Sequence, residues 1–98
     1  MTTRYAVAFD ADSPARIIAA QTWERAVFEA AAIAGRARPW TPGAAALAYA
    51  SDGKHLARFE VYARAPFTLE PNLSVDGDPG PIPCDVARLL LATWSDAP

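Results

Sequence analysis

Tyr5, Val7 and Phe9 alternate with alanines over residues 4–10, and this two-residue period in aromatic and β-branched side chains predicts a strand. The run Asp10-Ala11-Asp12-Ser13-Pro14 breaks it, and Ser13 before Pro14 reads as a helix start, a capping side chain ahead of a first-turn proline. Over residues 14–34 the period changes. Ala20, Trp23, Val27, Ala30 and Ala34 recur at spacings of three and four, with Gln21, Arg25 and Glu29 on the opposite side. The segment predicts one amphipathic helix of about six turns, stopped by Gly35 and by Pro39 and Pro42, with Arg36 and Arg38 at its negative end.

Residues 44–64 read as a hairpin, because Asp52-Gly53 lies between two strand-like runs. A two-residue turn pairs Ser51 with Lys54, Ala50 with His55, Tyr49 with Leu56 and Leu47 with Arg58. One face then carries Ala46, Ala48, Ala50, Ala57, Phe59, Val61 and Ala63, and it admits the long helix closely, with Trp23, Val27 and Phe59 filling the space. The other face carries Leu47, Tyr49, Leu56, Arg58, Glu60, Tyr62 and Arg64, a mixed surface either solvated or available to a partner. Residues 65–83 hold five of the nine prolines and read as a long loop or arm, with Phe67-Thr68-Leu69 as a short extended piece. Residues 83–94 predict a short helix, with Val86, Leu89, Leu90 and Trp94 on one side.

These elements give one small α+β domain over residues 1–98, in the order β-α-β-β-(loop)-α. The expected sheet has three strands in the order 2-3-1. Its first strand runs parallel to the second across a helical crossover, and the third lies between them. The long helix covers one face, and the short C-terminal helix follows the arm.

Composition narrows the function. The hydrophobic fraction is 52%, but 23 residues are alanine, so the core depends on the aromatics and the Leu, Ile and Val set. A net charge of −2 and a pI near 5.2 disfavour a general nucleic-acid binder. Cys84 is the one cysteine, which excludes an internal disulfide and fits a reducing, cytoplasmic setting. No apolar run approaches membrane length, and five apolar residues at the N-terminus are too few for a secretory leader. The alanine load and eight arginines against one lysine fit a bacterial or phage source with a GC-rich genome.

Few motifs carry chemistry. Asp10-x-Asp12 at the end of an apolar strand resembles the first motif of haloacid-dehalogenase-type phosphatases. That resemblance implies Asp10 as nucleophile and Asp12 as acid/base. Ser13 departs from the Thr or Val usual there, Lys54 sits at the hairpin turn, and no acidic pair follows a later strand. On the residues alone, Asp12 and Ser13 serve as competing helix caps. His55, the single histidine, falls on the helix-facing side of the hairpin and reads as structural. Cys84 opens the last helix and reads as a small apolar filler. One histidine and one cysteine make a poor zinc set, so no metal or cofactor is expected. Asp76-Gly77-Asp78 lacks the remaining ligands of a calcium loop and reads as a turn.

The mixed hairpin face remains. Tyr49, Leu56, Arg58, Tyr62 and Arg64 are the candidate partner-binding residues, since Tyr and Arg concentrate at interface centres. Arg36, Arg38 and Trp40 form a second candidate surface. The resulting expectation is a non-catalytic protein-interaction module, an adaptor, inhibitor or accessory subunit that acts through the outer sheet face or an open sheet edge and also pairs as a homodimer. Single-stranded nucleic-acid binding on the Tyr/Arg face is the first alternative, and a small hydrolase using Asp10 and Asp12 the second.

Overall fold

Seven elements follow one another along the chain: β1 (Thr3–Ala8), β2 (Arg16–Ala20), α1 (Trp23–Ala37), β3 (Ala45–Ser51), β4 (Leu56–Arg64), β5 (Asn72–Asp78) and α2 (Cys84–Asp96). They come from a computed structural model that describes residues 2–10, 12–66 and 72–96. The class is α+β. The strands form one antiparallel five-stranded sheet in the order β2-β1-β3-β4-β5.

The largest departure from the expected order lies in residues 14–34. The Asp10 carboxylate accepts the Asp12 and Ser13 amides at 2.9 and 2.7 Å, which closes a turn rather than capping a helix. The chain reverses, and Arg16–Ala20 pairs with β1 along its whole length. Ile17 and Ile18 then point to opposite faces and enter different apolar clusters. The helix begins only at Trp23. Its cap is Thr22, whose Oγ1 accepts the Arg25 amide at 3.1 Å.

This added hairpin also changes the sheet order. The helical crossover now leaves from β2, so β2 and β3 run parallel with β1 between them, and β3 meets β1 antiparallel. The three-stranded 2-3-1 arrangement is replaced, and β3, not the strand after it, is central.

Gly35 does not stop α1, which continues to Ala37. The Trp40 indole lies over this glycine so closely that a Cβ there would come within 2.8 Å of Cδ1. The indole N–H donates to the Ala31 carbonyl at 3.0 Å. Gly35 therefore serves a close approach inside the helix.

The β3–β4 register is two residues from the expected one, with Tyr49 opposite Arg58 and Ser51 opposite Leu56. The Asp52 carboxylate takes the amides of Lys54 and His55, and the Asp52 amide donates to the His55 carbonyl. Four residues, 52–55, are thereby held in the turn instead of two. A two-residue slip preserves side-chain parity, so both faces keep the residues that the alternation assigned to them.

The 65–83 segment contains a fifth strand. In β5, Leu73 and Val75 join the core while Asn72, Ser74 and Asp76 lie opposite Arg64, Tyr62 and Glu60. The turn expected at Asp76-Gly77-Asp78 is the end of this strand. Residues 67–69, expected to be extended, lie outside the described residues.

Each face of the sheet carries one helix. α1 buries Ala26, Val27, Ala30 and Ala31 against Tyr5, Val7, Ile18, Ala48, Ala50, Phe59 and Val61. The alanines on both sides permit close approach. Trp23 fills the gap between Tyr5 and Phe59, with ring centroids 4.9 and 6.4 Å away. α2 buries Val86 and Leu90 on the other face, against Ala6, Ala8 and Tyr49. Leu90 is fully buried, worth about 2 kcal/mol of transfer energy. No helix among the described residues is long and apolar enough to cross a membrane.

Candidate functional site

The second sheet face divides into a sealed half and an open half. α2 packs on β1, β2 and β3 and leaves β4 and β5 without a helix. That division separates the five residues singled out from the sequence.

Tyr49 belongs to the sealed half. It is 6% exposed and packs with Ala6, Ala8, Val86 and Leu90. It is a core residue beneath α2 and does not form part of an open surface. The alternation placed it on the correct face but carried no information on where the last helix docks.

Arg58 lies at the boundary. Its guanidinium donates to the Pro81 carbonyl at 3.1 Å and to Asp78 Oδ2 at 3.3 Å, and rests against the backbone of Gly80. Its Nε is buried without a hydrogen-bond partner. Arg58 therefore clamps the 78–81 segment that leads into α2. The Gly80 amide, bonding Asp78 Oδ1 at 2.8 Å, is the main reason the Asp78 carboxyl lies below its ordinary range. Desolvation opposes that effect and Arg58 reinforces it.

Tyr62 and Arg64 lie in the open half, with Glu60 on the same face. Tyr62 is 40% exposed. Across the ladder stand Asn72, Ser74 and Asp76, so Glu60 lies opposite an acid and Tyr62 opposite a serine. Leu56 is 37% exposed but sits at the turn end of β4, roughly 20 Å along the strand from Tyr62. It does not share their patch.

The second candidate surface also divides. Arg36 is exposed in the last turn of α1, and Arg38 is its C-cap, with the Arg38 amide bonded to the Ala34 carbonyl at 3.0 Å. Trp40 is half-buried against the core, its ring 6.3 Å from Phe9 in an edge-on contact. A groove of about 650 Å³ runs here, and its lining includes Asp10, Asp12, Arg16 and Arg38 beside the two rings. The fold thus brings the Asp10-x-Asp12 motif next to the Arg38–Trp40 corner, which no spacing in the sequence indicates. Two carboxylates and two guanidiniums leave the groove without a dominant charge.

His55 is exposed in the 52–55 turn rather than on the helix-facing side, with Nδ1 3.4 Å from Asp52 Oδ2. The longer turn removes it from the strand. Cys84 is exposed at the first position of α2 and is not a core filler. Among the described residues no three His, Cys, Asp or Glu side chains cluster as a metal site would require. Comparison with known proteins gives no match to a family model, a curated protein or a solved structure.

Proposed function

We propose that the protein is a non-catalytic interaction module, an adaptor, inhibitor or accessory subunit, which presents the open half of its second sheet face to a protein partner. One observation carries this reading: Tyr62 stands 40% exposed on a sheet face whose other half is covered by α2. A tyrosine with Arg64 on the same face offers contact area at low entropic cost, and Tyr and Arg are the residue types enriched at interface centres.

Nucleic acid fits the same surface less well. Tyr49 is buried, Arg58 is bonded to Asp78 and Pro81, and a phosphate backbone would meet Glu60 and Asp76. The hydrolase reading is weakened because the Asp10 carboxylate already accepts two turn amides.

A photo-crosslinking amino acid at position 62 of the intact chain, expressed in its native host, tests the proposal. The expected result is one discrete protein adduct at 62, absent from a crosslinker at Arg25 on the outer side of α1, and lost with Arg64→Glu. Equal or absent labelling at both positions rejects the assignment. Salt-sensitive binding of mixed oligonucleotides, weakened by Arg64→Ala, would replace it with the nucleic-acid reading.

A further inference from the structure

The sheet has two edges, and they differ. β5 carries Asp76 and Asp78 within seven residues, charges of the kind by which edge strands discourage pairing, and between them Gly77, which weakens a strand. β2 is Arg16-Ile17-Ile18-Ala19-Ala20, with no proline or glycine and no charge after its first residue. It pairs with β1 on one side only, and its β-branched centre suits a further strand. Arg16, at its first residue, is its one charge.

From this contrast we infer that the β2 edge is the contact surface for a second copy of this chain, joining two sheets antiparallel about Ile18. An isologous two-fold there sets Ile18 opposite Ile18, Ile17 opposite Ala19 and Arg16 opposite Ala20, and no like charges oppose each other. The charges at its ends are complementary. Arg16 pairs with Val7, which packs under α1, so Arg16 lies on the α1 side of the sheet. Glu24, in the first turn of α1, begins on that side just past the other end of β2. Both are exposed, and neither joins an ion pair among the described residues. The two-fold brings Arg16 of each copy toward Glu24 of the other. This edge is at the opposite side of the sheet from the strands that carry Tyr62, so the two surfaces can be occupied together.

Sedimentation equilibrium of the full chain, 10.5 kDa as a monomer, tests the inference. The expected mass is that of a dimer at about 100 μM, a concentration at which a micromolar contact is saturated. Arg16→Glu and Glu24→Arg should each weaken association about tenfold or more, and the double exchange should restore it, with circular dichroism verifying each fold. Asp76→Lys, on the β5 edge, should leave the mass unchanged. A monomeric wild type overturns the inference, as does a dimer that ignores both charge reversals or responds to Asp76→Lys. The crosslinking result at position 62 is independent of either outcome.

Discussion

The Trp94 indole lies against the backbone of Gly53, so that a Cβ at Gly53 would stand 2.7 Å from two of its ring carbons. The same indole donates to the Arg4 carbonyl at 3.2 Å, and the Arg4 guanidinium lies 4.9 Å from its ring centre. One side chain near the end of α2 thereby joins the start of β1 to the β3–β4 turn.

Gly53 has φ +93° and Gly43 has φ +89°, both in the region that favours glycine, but a Cβ at Gly43 would meet nothing within 4 Å. Gly43→Ala should cost about 1–3 kcal/mol for backbone strain alone. Gly53→Ala should cost more, because it also displaces Trp94. Urea midpoints of the two variants, with Trp94 fluorescence as a second probe, check this. Equal losses would mean that the indole contact contributes nothing to stability.

The position of the helix start is open to the same kind of test. Thr22→Ala should destabilise the protein by about 1 kcal/mol, the usual loss of an N-cap. Ser13→Ala should change it by less than about 0.5 kcal/mol, since only its backbone is bonded in the turn. Thermal unfolding of the two variants decides between a helix from Trp23 and one from Pro14.

These cap residues show what was legible in the sequence. Parity in the 44–64 hairpin sorted its strand side chains correctly between the two faces, His55 in the turn excepted, and that survived a register error because the error was two residues. The short helix at Cys84 was legible because Val86, Leu89, Leu90 and Trp94 keep a helical period through proline-free sequence. Arg16–Ala20 was not, since isoleucines and alanines satisfy a helix and a strand equally over five residues. Only the Asp10 turn decides between them. β5 was hidden by its content, two large apolar residues among polar ones with Pro71 and Pro79 at its ends. The candidate side chains do point to one side of the sheet, but the division of that side by α2 depends on tertiary docking, which leaves no local pattern.

Stability should fall at acid pH through two carboxylates. At Asp52, desolvation raises the pKa, but the amides of His55 and Lys54 and the His55 ring together lower it below 3.8. At Asp78, the Gly80 amide is the main cause of a lowered value, with desolvation opposing and Arg58 assisting. A group whose folded pKa is depressed contributes fully above its unfolded value, and that contribution is lost as the pH falls through the folded one. The decline should therefore begin near pH 3.8 and steepen below it. Urea midpoints between about pH 2 and pH 6 should show a shallower acid decline for Asp78→Asn than for the wild type. Parallel curves would remove Asp78 from the linkage.

Arg58 holds the boundary between the sealed and open halves of the second face. A Cβ at Gly80 would run into the Arg58 guanidinium, the far end of a flexible side chain that can swing away. Gly80→Ala should release Arg58 from Asp78 and from the Pro81 carbonyl while preserving the Gly80 amide bond to Asp78. The Asp78 pKa should then rise only part of the way toward 3.8, because the Gly80 amide bond, the largest single cause of its lowering, remains. Exchange of the Ile82 amide should quicken as the clamp opens. A carboxyl titration followed by NMR measures the first effect and hydrogen exchange the second. An unmoved Asp78 pKa would show that the guanidinium stays in place beside an alanine. If it leaves, a cation is added to the β4–β5 surface beside Glu60, and any partner held there should distinguish Gly80→Ala from the wild type even though residue 80 lies outside the Tyr62 patch.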